Sequence, residues 1–263
     1  MFEAILYEVK DNIAFITFNR PEQGNAFSET SFREIPEALS KANEDTSVRA
    51  IVLTGKGKLF CGGGDVNQFK EILDDPNSEG LPNHLVDATG QLSIAIRNCP
   101  KPIISSINGA AAGAGLGVAL ASDFRIMEES STLITSFIFM GFPGDTATSY
   151  YLQKILGTAK TNEMMMLSPK VKGKEAKELG LSTLTVEDGT LEEATKQFAQ
   201  KVASLPTKAL AQHKKILNEF FYKDLSEFTS LETKNMVEAS KTDDHAEAVV
   251  AFLEKRQANF TGR

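Results

Sequence analysis

Tryptophan is absent from this 263-residue chain, cysteine occurs only twice and histidine three times. Cys61 and Cys99 give neither a disulfide framework nor the paired spacing of a metal site. No apolar run approaches the roughly 18 residues that a membrane-crossing helix needs, so no membrane partner is expected. Positive charge is in deficit: 28 Lys and Arg face 35 Asp and Glu, for a formal net charge of -7. A chain of that sign is a poor match for the phosphates of nucleic acid. It still admits an anionic small molecule where the cationic contacts are local. The opening Met1-Phe2-Glu3-Ala4-Ile5-Leu6-Tyr7-Glu8 has neither the basic start nor the cleavage site of a secretory leader, and the expected setting is cytoplasmic.

What is present is the composition of a globular enzyme, 41% hydrophobic and 24% charged. Ile13-Ala14-Phe15-Ile16-Thr17-Phe18 reads as a strand that stops at Asn19-Arg20-Pro21, where proline forces an extended turn. Val48 to Thr54, Pro102 to Ile107 and Phe124 to Met127 read as three more strands. Helical patterns lie between them, the first capped by Ser28, and this alternation predicts an α/β fold. Residues 74–82, rich in Asp, Pro, Asn, Ser and Gly, read as a mobile surface loop. After Pro206 the pattern is wholly helical, over Ala209 to Tyr222, Glu227 to Ser240 and Ala246 to Gln257. The expected division is an α/β core over 1–200 and a helical region over 201–263. The tail's apolar residues (Leu217, Phe220, Phe221, Val249, Phe252, Leu253) need cover, from this chain or from another subunit.

Two glycine-rich segments carry the chemistry. Cys61-Gly62-Gly63-Gly64-Asp65 and Asn108-Gly109-Ala110-Ala111-Ala112-Gly113-Ala114-Gly115-Leu116-Gly117 each follow a strand and open into a helix. Small residues at such turns let a ligand approach the main chain itself. Two convergent N–H groups form an oxyanion hole, and each donor of this kind is typically worth on the order of 3–4 kcal/mol. A helix beginning near Gly115 adds its positive end to the same place.

These turns, in their context, resemble those of the crotonase (enoyl-CoA hydratase/isomerase) superfamily. Asn19-Arg20-Pro21 with Asn25-Ala26 resembles the family's early loop, and Phe60 to Asp65 its first oxyanion turn. Pro100-Lys101-Pro102 with Asn108-Gly109 resembles its second approach, and Ala119-Leu120-Ala121-Ser122-Asp123 the helix of the second donor. Ala176 to Leu181 and Ala251 to Phe260 complete six matches in the right order along the chain. The resemblance implies a spiral of ββα units with a C-terminal helical region, assembled as a homotrimer or a dimer of trimers. It implies an acyl-CoA thioester as substrate and no separate cofactor, since coenzyme A enters with the substrate. It places the oxyanion donors on the N–H groups of Gly64 and Ala114. It places Ala26, Cys61, Gly62, Asp65, Phe137, Phe252 and Lys255 along the substrate and its CoA, with Phe252 and Lys255 closing over a neighbouring subunit's CoA.

The chain departs from the hydratase pattern at its carboxylates. The two glutamates that handle water in the similar hydratases fall on Gly117 and Phe137, neither of which transfers a proton. Asp145, within Gly141-Phe142-Pro143-Gly144-Asp145-Thr146-Ala147-Thr148-Ser149-Tyr150, occupies the position of the single carboxylate in some isomerases of the family. One carboxylate suffices to move a proton from C2 to C4 of a 3-enoyl thioester. The same Asp also reads as an ordinary helix N-cap. The segment is similar, too, to the 4-chlorobenzoyl-CoA dehalogenase branch, whose His and Trp fall here on Gly90 and Phe137. Isomerisation is the expectation; hydration, dehalogenase-like chemistry and non-catalytic CoA-ester binding are the alternatives.

Other candidates read as bland. His84, His213 and His245 are expected at the surface, Met164-Met165-Met166 in the core, and Cys61 in a structural role. Lys56 and Lys58 read equally as phosphate contacts or as a solvated loop. An apolar wall of Phe137, Phe139, Met140 and Phe142, if it faced Asp145, would raise that carboxyl's pKa.

Overall fold

The computed structural model describes residues 2–263. The chain starts with a hairpin, β1 (Ile5–Lys10) and β2 (Ile13–Phe18). Asp11 and Asn12 turn it with φ of 51° and 64°, the two left-handed residues of a tight two-residue hairpin turn. Helix α1 (Glu29–Glu44) begins at Ser28, which forms a reciprocal capping box with Ser31. Then follow β3 (Ala50–Gly55), α2 (Val66–Asp74) and α3 (Asn83–Asn98).

Two ββα turns come next. The first is β4 (Ile103–Ile107), β5 (Ala110–Ala112) and α4 (Ala114–Ala121). The second is β6 (Phe124–Glu128), β7 (Thr132–Ile134) and α5 (Thr148–Leu167). The chain continues through β8 (Val171–Lys172), α6 (Gly173–Glu178), β9 (Leu184–Val186) and α7 (Leu191–Ser204). It ends in α8 (Thr207–Phe221), α9 (Leu225–Ala239) and α10 (Asp243–Leu253).

Each turn gives one strand to a large sheet and one to a small sheet. The large sheet runs β1-β2-β3-β4-β6-β9, parallel from β2 onward; the small one runs β5-β7-β8. Both faces of the large sheet are covered, which is why its strands read as continuous apolar runs. Ile16, Ile51, Leu53 and Ile103 face the main core with α1, α3 and α4, while Ile13, Val52, Ile104 and Ile126 face α7. Each such fully buried side chain contributes roughly 1.5–3 kcal/mol. All eight residues of α4 are buried, as expected of a helix that is apolar on every side.

The sequence placed the four central strands and the helices after Pro206 to within a few residues. It missed β1 and the short strands of the small sheet, which are too brief to show a period. The last helix stops at Leu253, and Lys255 takes a φ of 55°, so the expected helix to Gln257 is four residues shorter. Helix α9 packs along α3. Lys214 of α8 donates to Asp123 (2.6 Å) and to the Lys101 carbonyl (3.1 Å), tying that helix to the sheet. Of the tail's apolar residues, Val249 is buried in the chain's own core, but Phe220 and Phe252 are 72% and 60% exposed. Among the described residues no helix is long and apolar enough to cross a membrane.

Candidate active site

The two glycine-rich turns touch main chain to main chain. Cys61 pairs with Ala111 as an isolated parallel bridge. A methyl group on Gly113 would lie 3.6 Å from Gly63 Cα, and one on Gly63 only 3.2 Å from the Ala112 carbonyl oxygen. Gly63 and Gly113 have φ of 105° and 51°, which glycine adopts without strain. The next residues along each turn, Gly64 and Ala114, line one small cavity. Phe27 pairs with the first turn by donating its N–H to the Gly63 carbonyl (2.8 Å). Ala114 is the first residue of α4, where helical amides have no intrahelical acceptor. Among the described residues neither the Gly64 nor the Ala114 N–H donates to a main-chain or side-chain group.

Asp145 lines the same cavity and is buried. It does not cap α5. The N-cap of that helix is Ala147, and the Asp145 side chain instead accepts from the Thr146 hydroxyl at 2.7 Å. Its main-chain carbonyl accepts from Thr148 N–H (2.9 Å), closing a turn whose central residues, Thr146 and Ala147, have φ of 55° and 57°. Non-glycine residues in this left-handed region cost roughly 1–2 kcal/mol each. Burial pushes the Asp145 carboxyl up to about 6, with the Thr146 hydrogen bond opposing. No cation pairs with it among the described residues. It is therefore mostly ionised at neutral pH yet poorly solvated, which suits a general base.

The walls are apolar: Phe27, Phe32, Phe69, Leu81, Leu85, Val86 and Met236. They are not the expected ones. Phe137 and Phe142 pack behind the cavity, and Phe139 is exposed. The space enclosed is about 20 Å³, on the scale of a water molecule. A larger cavity of about 300 Å³ lies elsewhere, lined by Arg97, Asp123, Arg125 and Lys214 among others, and holds none of the residues expected to act in catalysis or to line the substrate and its CoA.

The structure thus brings Gly64, Asp65, Ala114 and Asp145 together and leaves the other candidates outside the cavity. Asp65 caps α2 through Asn67 N–H and pairs with Arg20 at 2.8 Å, so its charge is spoken for. Ala26 holds the same arginine through its carbonyl (2.6 Å). Gly62 donates to the Gly24 carbonyl. Cys61 is buried beneath the turn, its thiol pushed up to about 12 by burial, which fits a structural role. Phe252 and Lys255 are exposed at the end of α10. His245, expected at the surface, is buried: its Nδ1 sits 2.8 Å from the Met140 carbonyl and its ring 4.2 Å from that of Phe142. His84 and His213 are exposed as expected. Lys56 bonds Asn19 at the surface.

Three positions explain the missing groups. A side chain at Gly117 would start 2.6 Å from Thr146 Cβ and 2.7 Å from Thr148 Oγ1. One at Gly90 would start 2.8 Å from Thr229 Cβ. The threonines occupy the space a glutamate or histidine would need, and Phe137 is buried in an apolar cluster.

Sequence reasoning missed one carboxylate altogether. Glu232 of α9 accepts the Ala147 N–H at 2.8 Å, and its other oxygen is buried with no partner. Burial foremost, and the charge of Asp145, push this carboxyl up to about 8. Nothing local marked it: α9 carries three glutamates, and only the tertiary contact separates this one from the solvated pair.

The wound strands and the paired turns define a class, the crotonase fold with its acyl-thioester cleft, and comparison with known proteins agrees. The profile of the enoyl-CoA hydratase/isomerase family matches residues 8–263. A Rhodobacter capsulatus protein named "probable enoyl-CoA hydratase" is 35% identical, over 100% of this chain and 99% of its own length. The 1,2-epoxyphenylacetyl-CoA isomerase of Escherichia coli is 31% identical, over all of both chains. A crystal structure of an enoyl-CoA hydratase from Mycobacterium avium subsp. paratuberculosis superposes with a TM-score of 0.88 at 24% identity, over 99% of this chain and 100% of that one, which speaks to the fold. The chain belongs to the enoyl-CoA hydratase/isomerase family, whose members act on acyl-CoA thioesters.

Proposed function

We propose that the protein isomerises a 3-enoyl-CoA to the 2-enoyl-CoA. The observation that carries this reading is the arrangement of acids around the cavity: Asp145 lines it without a cation partner, whereas Asp65 is tied to Arg20. Asp145 removes a proton from C2 of the thioester. The electrons move into a dienolate, whose oxygen is held by the Gly64 and Ala114 N–H groups with the positive end of α4 behind them. The same carboxyl, now protonated, returns the proton at C4. The reaction is balanced within the substrate and calls on no cofactor beyond the CoA it carries. Phe252 and Lys255 then serve the CoA of a neighbouring subunit in a trimer or dimer of trimers, which fits their exposure here.

Hydration is the competing reading, favoured by the name of the Rhodobacter relative. It needs a group to activate water and an acid for the α-carbon, and positions 117 and 137 offer neither. The test supplies purified protein with a 3-enoyl-CoA and, separately, a 2-enoyl-CoA. Isomerisation of the first with little hydration of the second is expected, and Asp145→Asn should abolish it while CoA-ester binding persists. Fast hydration of the 2-enoyl ester overturns the proposal. Tight binding with no turnover of either would identify a binding protein instead.

A further inference from the structure

Glu232 stands behind Asp145, outside the cavity lining, and its contacts are unusual. One oxygen holds Ala147, a residue of the left-handed turn that presents Asp145. The other, shielded from solvent, has no hydrogen-bond partner. It also lies close to the residue before Asp145, since a methyl group on Gly144 would fall 4.0 Å from it. A strained turn persists only when its surroundings over-determine it. Here Thr146 and Thr148 are wedged against Gly117 on one side, and Glu232 is the polar anchor on the other.

Charge gives the second half of the argument. Two shielded carboxyls beside one turn, with no lysine or arginine paired to either, cannot both be ionised cheaply. The ionisable neighbours are few. Asp145 comes from the turn, and Tyr151 of α5 senses the Glu232 charge. On α3, which packs along α9, His84 is exposed, Asp87 is bonded to Gln91, and Arg97 is committed to Asn218 and Asp123. None of them neutralises Glu232. We propose that Glu232 is a positioning residue, which clamps the Asp145 turn through Ala147 and, by keeping the proton of the pair, leaves Asp145 the single negative charge beside the acyl group.

The role rests on the reading of Asp145 as the base, and it has a signature that mere packing lacks. Glutamine keeps the shape, the acceptor for Ala147 and the neutrality. Glu232→Gln should therefore retain kcat at pH 7, while Glu232→Ala, which releases the turn, should lose about tenfold to a hundredfold in kcat with KM little changed. In the unaltered enzyme kcat should decline above about pH 8, as a second charge appears beside the developing dienolate. Glu232→Gln should lack that decline. An unchanged kcat in Glu232→Ala, equal losses in the alanine and glutamine variants, or a decline kept in Glu232→Gln would each overturn the proposal. A substrate-free readout separates this from failure of the isomerase reading. With ¹³C-labelled aspartate carboxyls, the resonance lost in Asp145→Asn should show a second inflection near pH 8 that disappears in Glu232→Gln. Its presence supports the pairing whatever the reaction, and its absence from the unaltered protein refutes it.

Discussion

Cys61 lies opposite Ala111 as its bridge partner and is held there by both of that residue's neighbours: the Cys61 N–H donates to the Ala110 carbonyl (3.2 Å), and the Ala112 N–H donates to the Cys61 carbonyl (2.9 Å). The small sheet continues that pairing, with Ala111 beside Leu133 and Leu133 beside Val171. Gly64 and Ala114 follow directly from these two segments, so the spacing of their amides is set by sheet hydrogen bonds rather than by flexible loops.

Gly115 makes this relation testable. A methyl group there would meet Cys61 Cβ at 2.6 Å and the Cys61 carbonyl oxygen at 2.7 Å. The second contact is main chain and cannot swing away. Gly115→Ala should destabilise the protein by about 1–3 kcal/mol and lower kcat/KM by forcing the two turns apart. Urea unfolding and steady-state kinetics measure both, and a fully active, equally stable variant would show that the turns are not rigidly coupled.

Gly117→Glu would restore the first hydratase glutamate by residue type. The structure predicts that it fails. The new side chain would start within 2.6–2.7 Å of Thr146 and Thr148, and its carboxyl would have to be buried. The expected result is a loss of about 3 kcal/mol or more with no hydration of a 2-enoyl-CoA. A stable variant that hydrates would mean that the threonines yield easily and that the site lies one substitution from hydratase chemistry.

Much of this was legible in the sequence because it is local. The glycine turns, the Ser28 cap and the four central strands announce themselves within a few residues of chain. Asp145 was legible as a position, but its two readings, cap or base, differ only in where the side chain points. That choice rests on Thr146 and Ala147 adopting left-handed conformations that no propensity favours. Glu232, the walls from α1, α2, α3 and α9, and the buried His245 were not legible. Each depends on distant elements meeting in space, Glu232 with Ala147 across 85 residues and His245 with Met140 across 105, and a helix carrying other, solvated glutamates hides the one that is not.

Phe69 closes the cavity. A methyl group on Gly64 would lie 2.7 Å from Phe69 Cζ, so this ring packs directly on Gly64. The ring is half-buried and packs edge-on against Phe142 and near His245. The ring therefore forms part of the wall that an acyl group held at Gly64 would meet. Phe69→Ala should raise the ratio of kcat/KM for long over short enoyl-CoA substrates by about tenfold, the effect of roughly two buried methylenes. An unchanged ratio would place the acyl chain along another wall.

Asp145 carries an ionisation cost that its removal should return as stability. Its carboxyl is held near 6 in the folded protein, above the ordinary 3.8, by burial. Below about pH 4 the group is protonated in both states and costs nothing. As pH rises from about 4 to about 6 the unfolded chain ionises first, so the folded state loses ground; above 6 the cost is complete. Each pKa unit is worth about 1.4 kcal/mol. Asp145→Asn should therefore be more stable than the parent by about 1–3 kcal/mol at pH 7, with the gain vanishing near pH 4, while activity is lost. Asparagine keeps an acceptor for the Thr146 hydroxyl, so the comparison isolates the charge. Urea unfolding at the two pH values decides it: a variant less stable than the parent at pH 7 would mean that the aspartate is held there by favourable contacts, and that its burial beside the cavity is structural rather than a cost borne for chemistry.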